Sequence, residues 1–158
     1  MRIPLFSVVL GVGLLTACGA EPAAPVPAAT LAESQDTVVS IGDVTARATV
    51  MPTAMLGSLV AEKYGIRRAD DQIMLLVGLR RGEGSAEVSV PARIVATASD
   101  LRGGRRPIEL RELSSGELMD YVGTVQVSLP DTLKFEIDIT LEDGAHKTMQ
   151  FTREFQSR

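Results

Sequence analysis

Cys18 is the only thiol in a chain of 158 residues, and its thiolate is the strongest nucleophile the sequence offers. It follows an uncharged run from Pro4 to Leu15, and only the small residues Thr16 and Ala17 stand between. Other chemistry-bearing residues are sparse. The one histidine, His146, reads as an exposed turn residue beside Asp143 and Lys147, short of the cluster a metal site recruits. Asp120, Glu136 and Asp138 could support acid–base chemistry only if the fold brings them together away from solvent. Arg102, Arg105 and Arg106 flank Gly103-Gly104 and could meet a phosphate or an anionic headgroup, although a solvated hairpin tip is the simpler expectation. Arg67, Arg68, Asp70 and Asp71 are expected to neutralise one another at the surface. There is no G-x-S-x-G elbow, and Gly82-Glu83-Gly84 lacks the third glycine and following helix of a dinucleotide turn. No catalytic residue, metal ligand or cofactor site is therefore predicted.

The surroundings of Cys18 explain what its thiol is for. Met1-Arg2 supplies a short positive start, Pro4 to Leu15 an apolar h-region, and Thr16-Ala17 a small-residue cleavage site. The run is too short to span a bilayer, which takes about 20 apolar residues. Leu15-Thr16-Ala17-Cys18 resembles the lipobox of bacterial lipoproteins. The resemblance implies a diacylglyceryl group on the Cys18 sulfur, cleavage between Ala17 and Cys18, and acylation of the new amino group. Several acyl chains hold firmly where one anchors only marginally. Gly19 stands where an Asp would favour retention in the inner membrane of a Gram-negative bacterium, so the resemblance points to the periplasmic face of the outer membrane.

Three segments follow: a signal peptide over residues 1–17, a lipidated cysteine with an Ala/Pro-rich stretch over 18–35, and one domain over 36–158. Pro22, Pro25 and Pro27, with no apolar periodicity around them, predict an extended tether that could reach about 50 Å. A Pro-rich recognition motif is the sharper alternative. The formal net charge of −4 leaves no footprint for nucleic acid. With no cysteine beyond Cys18, the domain must be stable without an internal disulfide.

Period-2 alternation dominates the domain. Thr37–Ile41 and Val44–Val50 read as strands around Gly42-Asp43, and Met51–Ile66 reads as one helix. In that helix Leu56, Leu59, Val60 and Tyr64 would face the core, Thr53 would cap the start and Gly65 would end it. Ile73–Leu79 is apolar at consecutive positions, so both its faces must be covered, the second most simply by the helix. Glu87–Val90 and Ala92–Ala98 are strands broken by Pro91, which suits an edge or bulge. Ile108–Leu113 and Met119–Leu129 follow. Leu133–Leu141 alternates most clearly, then Glu142-Asp143-Gly144 turns into Lys147–Phe155. About eight strands of this kind predict an all-β fold: an antiparallel β-sandwich of immunoglobulin-like type with one short helix.

These residues resemble the bacterial family called domain of unknown function 4426. The likeness lies in Leu56, Val60-Ala61, Tyr64-Gly65-Ile66, Ile73–Leu79, Tyr121-Val122-Gly123, Lys134-Phe135 and Gln150-Phe151. It departs where Met51 and Met55 stand before the helix and where Asp120 precedes Tyr121, positions at which the family commonly has aromatics. The resemblance implies a fold and transfers no catalytic residue.

The expected function is a membrane-anchored, non-enzymatic binding module of the periplasm that engages another envelope protein, for instance by adding a strand at an edge near Pro91. An enzyme built on carboxylates converging in three dimensions is one alternative. A carrier of small apolar molecules between helix and sheet is the other. Cys18→Ala is expected to release the protein from the membrane fraction with its domain still folded, as read by fractionation and circular dichroism. A variant still acylated and membrane-bound would contradict the anchor.

Overall fold

The computed structural model describes residues 36–157. The signal peptide, Ala17, Cys18 and the stretch to residue 35 lie outside the described residues. Ten strands form two antiparallel sheets: β1 Thr37–Ile41, β2 Val44–Pro52, β3 Gln72–Arg81, β4 Val88–Ser89, β5 Ala92–Asp100, β6 Arg105–Ile108, β7 Arg111–Ser115, β8 Leu118–Gln126, β9 Asp131–Leu141 and β10 His146–Phe155. The larger sheet runs β1-β2-β3-β8-β7, with β4 beside the end of β3, and the smaller runs β10-β9-β5-β6. The fold is the expected all-β sandwich.

Alternation on β9 supplies the floor of the core. Leu133, Phe135, Ile137, Ile139 and Leu141 are all buried, and Phe135 stacks on Phe151 at 5.2 Å and meets Phe155 edge-on at 6.4 Å. Facing them from the larger sheet are Val44, Ala46 and Ala48 of β2, Ile73, Leu75, Val77 and Leu79 of β3, and Tyr121 and Val125 of β8. The other face of β3 is also covered. Met74 is buried with Leu56, Ala61, Ile66 and Val122, and Met51, Tyr64, Leu76 and Leu113 pack around them.

The cover over that second face is the helix, but shorter than expected. β2 continues to Pro52, a single 3₁₀ turn covers Thr53–Met55, and the α-helix, α1, is only Ser58–Lys63. Thr53 does not cap it. Its hydroxyl is fully buried, donates to the Ala69 carbonyl at 3.1 Å and accepts the Ala69 N–H at 2.9 Å, fastening the returning chain. Nor do Leu59 and Val60 face the core: both point to solvent, because the real helix starts after Gly57 and turns Ala61 inward instead. The end is as expected. Gly65 has φ +60°, its N–H donates to the Glu62 carbonyl at 3.0 Å, and Ile66 N–H reaches the Ala61 carbonyl at 2.8 Å. These two bonds close the helix and fold Ile66 onto Ala61.

Two further expectations are corrected. Pro91 does not break one strand: it separates β4, an edge strand paired only with the end of β3, from β5, in the centre of the smaller sheet. The stretch Ile108–Leu113 is not one strand, since β6 ends in the smaller sheet and β7 begins in the larger. Both crossings are tied to β8. Tyr121 Oη accepts the Ala92 N–H at 3.0 Å, while Gly123 lies against the second crossing. A Cβ at Gly123 would stand 2.5 Å from the Glu109 carbonyl oxygen and 2.7 Å from Ile108 Cγ2. Tyr121, Val122 and Gly123 thus pin one crossing, bury under the helix and admit the other crossing.

Gly123→Ala is expected to cost about 1–3 kcal/mol, because a backbone oxygen and a core side chain must both move. Urea denaturation with an unchanged m-value measures it. A loss below about 0.5 kcal/mol would contradict the tight crossing.

Candidate functional site

Inward-facing positions of the sandwich are filled by core side chains, so the surfaces available for contact are its two outer faces and its ends. On the smaller sheet the outer face is mainly a self-satisfied polar ladder, with Val95 exposed beside Asp138. Glu136 accepts from Arg105 at 3.0 Å and from Gln150 at 2.8 Å, and Asp138 accepts the Thr148 hydroxyl at 2.6 Å. Each carboxylate meets a cross-strand partner, as solvated strand faces commonly do.

The larger sheet is different. Across β2, β3 and β8 the register aligns Arg47, Gly78 and Asp120, and the glycine leaves a gap in the side-chain row. Arg80 fills it. Its guanidinium pairs with Asp120 over Gly78 and also donates to the Leu79 and Met119 carbonyls at 3.0 Å. The two side chains are only 17% and 14% exposed. A Cβ at Gly78 would stand 2.8 Å from Asp120 Oδ1, so glycine makes room for the pair. Ser89 of β4 accepts the Met119 N–H at 2.7 Å, tying this short strand against β8. Around the pair, Arg47, Thr49, Leu76, Glu87 and Leu118 line a shallow depression of about 330 Å³. Its chemistry is recognition: fixed charges of both signs and an apolar rim, ready for a complementary surface.

The carboxylates named from the sequence do not converge. Asp120 lies on the outer face of the larger sheet, whereas Glu136 and Asp138 lie on that of the smaller, with the core between. His146 is exposed at the start of β10. Among the described residues no three His, Cys, Asp or Glu side chains gather as a metal site. The arginine loop is largely committed, with Arg105 on Glu136 and Arg106 on Asp100, each at 3.0 Å. A depression of about 510 Å³ beside it carries Asp100, Asp131 and Glu154 against Arg102 and Arg106, which does not suit an anion. Arg67 pairs loosely with Asp71 at 3.9 Å, as expected of that charged turn. The interface beneath α1 is filled by Leu56, Ala61, Ile66, Met74 and Val122. Beside it, a depression of about 240 Å³ is lined by Arg67, Gln72, Glu109, Arg111 and Thr124 with Val122 and glycines, a mostly polar wall.

A family profile, "Domain of unknown function (DUF4426)", matches residues 38–157. The chain belongs to the DUF4426 family. The crystal structure of a DUF4426 family protein from Pseudomonas aeruginosa PAO1 is similar with a TM-score of 0.65 at 24% identity, over 78% of this chain and 96% of that one. A copper-bound single-residue variant of FetP from uropathogenic Escherichia coli strain F11 gives 0.55 at 11% identity, over 75% and 93%. FetP of the same strain, recombinantly expressed in the periplasm and crystallised as isolated, gives 0.50 at 12% identity, over 77% and 92%. No protein of curated function matches the sequence. In this family the chain keeps the sandwich, and its Arg80–Asp120 pair over Gly78 is the feature the sequence did not announce. The sequence held only part of it, an isolated glycine inside an apolar strand followed two residues later by an arginine, and not the partner, which the β3–β8 register supplies.

Two outcomes follow. Asp120→Ala leaves the Arg80 guanidinium without its carboxylate and is expected to cost about 2–4 kcal/mol, with Arg80→Met in the same chain restoring part of the loss. Chemical denaturation of the single and double variants measures this, and a cost within about 0.5 kcal/mol of zero would contradict it. At the arginine loop, the N–H of Gly104 first, then that of Arg102 and the Arg106 charge, hold the Asp100 carboxyl below its usual range. The turn stabilisation it provides is full above the ordinary carboxylate pKa and is lost as pH falls through the lowered folded value. A carbon-detected NMR titration of Asp100 checks the direction, and a midpoint at or above the usual value would contradict it.

Proposed function

We propose that this DUF4426 chain is a membrane-anchored binding module of the bacterial envelope, held at the periplasmic face of the outer membrane by lipid on Cys18 after cleavage behind Ala17. It works as a non-enzymatic interaction domain, and its partner is another envelope protein. The observation that carries this reading is the outer face of the larger sheet. There the half-buried Arg80–Asp120 pair, resting on Gly78, presents a preformed charged depression beside a partly exposed helix. Preformed, mixed-charge surfaces give specificity and docking register. The separation of Asp120 from Glu136 and Asp138 by the core favours binding over carboxylate catalysis.

Copper is bound by the FetP variant named above. For the present chain, surface contact carries the proposal instead. Strand addition is an unfavoured route at β4, because this edge strand is only two residues long and offers too short a template. A partner therefore approaches the face of the sheet rather than an edge at Pro91.

A photo-crosslinking amino acid at Leu118 or Thr49, on the rim of the depression, is expected to capture one envelope protein reproducibly in cells. The same probe at Thr140, on the outer face of the smaller sheet, is expected not to. Capture at Leu118 should fall sharply in the Cys18→Ala chain, which loses its place at the membrane. Identical captures at all three positions, or none at Leu118 and Thr49, would contradict the proposal.

A further inference from the structure

The polar depression beside the helix holds opposite charges that do not neutralise each other. Thr124 of β8 lies on its floor, the turn after Gly65 brings Arg67 to one wall, and the crossing from β6 to β7 brings Glu109 and Arg111 to the other. Arg111 is committed: its guanidinium donates to the Tyr64 carbonyl and so braces the second wall against the first. Arg67 and Glu109 are not committed. Among the described residues Arg67 comes no nearer to a carboxylate than 3.9 Å from Asp71, beyond hydrogen-bond reach, and Asp71 already accepts from Gln126 at 3.1 Å. The Glu109 carboxylate meets neither a cation nor a hydrogen-bond donor among the described residues. Two unlike charges thus line one depression from separate elements without touching each other.

Gln72, at the start of β3, adds an acceptor to the same depression. Its Nε2 donates to Thr124 Oγ1 at 3.0 Å, while its Oε1 is buried and no donor among the described residues reaches it. A buried carbonyl without a donor is costly, so this position favours an incoming N–H. The Thr124 hydroxyl accepts from Gln72 and keeps its own proton to donate. The depression therefore offers a guanidinium for an oxyanion, a carboxylate for an ammonium and a carbonyl for a further N–H. Its volume of about 240 Å³ lies below that of sites for drug-sized ligands, which selects a small molecule.

A simple anion would meet Arg67 and Arg111 but also face Glu109, and a simple cation would meet Glu109 but face both guanidinium groups. A molecule that carries both charges satisfies the two walls at once. We propose that this depression binds a free zwitterionic amino acid, with its carboxylate on Arg67 and its ammonium on Glu109, on the Gln72 side of the floor. The charge-assisted bonds on the two walls set its orientation. The site shares no lining residue with the depression around Arg80 and Asp120, so it is a second binding activity beyond the partner surface proposed above and does not rest on it. A ligand this small, held in an open depression, binds with a dissociation constant of about 1 mM.

The test is an amide NMR titration of the full chain in detergent micelles with L-alanine. The amides of Arg67, Glu109, Arg111 and Thr124 are expected to shift saturably, while those of the β9 core stay in place. Alaninamide lacks the carboxylate and N-acetylalanine lacks the ammonium, and each is expected to bind about tenfold more weakly than L-alanine. Arg67→Gln should weaken L-alanine and leave alaninamide unchanged. Glu109→Gln should weaken L-alanine and leave N-acetylalanine unchanged. Both side chains are exposed, and unshifted β9 amides in each variant show that the fold is intact. The absence of saturable shifts, equal binding of the three compounds, or shifts that survive both substitutions would overturn the proposal. So would tighter binding of glycerophosphoethanolamine than of L-alanine, because the ligand would then be a phospholipid headgroup and not a free amino acid.

Discussion

Strand β3 is buried on both faces, and the rest of the domain is arranged around that constraint. Ile73, Leu75, Val77 and Leu79 enter the core between the sheets, while Met74 and Leu76 must be covered on the outside. A strand apolar on both sides cannot serve as a half-wet sheet element. The helix exists to meet this need. It is six residues long, too short to persist alone, and the inward residues Leu56, Ala61 and Ile66 of its segment are those that reach Met74 and Val122. Where helix cover ends, the outer row of β3 turns polar at Gly78 and Arg80, and there the charged depression begins.

Strand β8 connects that constraint to function. Its Tyr121 and Gly123 hold two of the three places where the chain passes between sheets, and its Val122 lies under the helix. Asp120, one residue earlier, faces outward and meets Arg80. The same strand thus decides which carboxylate joins the larger sheet's surface and leaves Glu136 and Asp138 on the far side. Two surfaces of different character result. One is mainly a ladder of satisfied polar pairs around Val95; the other combines a fixed ion pair, a shallow depression and a short helix.

Much of this was legible from local pattern. The alternation from Leu133 to Leu141, the two-sided hydrophobicity of Ile73–Leu79 and the Gly65-Ile66 helix stop all carry their cause within a few residues. The features that were not legible depend on partners distant in the chain. Thr53 has the composition of a cap, yet it bonds to Ala69 because β2 runs on to Pro52 beside Ile73. Leu59 and Val60 fit a helical stripe only if the helix begins early; starting after Gly57 rotates them to solvent. Ile108–Leu113 has the pattern of one strand, and only the close approach of Glu109 to Gly123 shows where it changes sheets. The Arg80–Asp120 pair needs the β3–β8 register, which no local signal supplies.

Hydrogen exchange on the full chain tests most directly whether the domain hangs on β3. The amides of residues 72–79 are expected to exchange last, only through global unfolding, with the 53–66 segment opening earlier and the edge strands 37–41 and 111–115 earlier still. If residues 72–79 exchanged as fast as either edge strand, β3 would not be the element on which core and helix both depend, and the account built on it would be wrong.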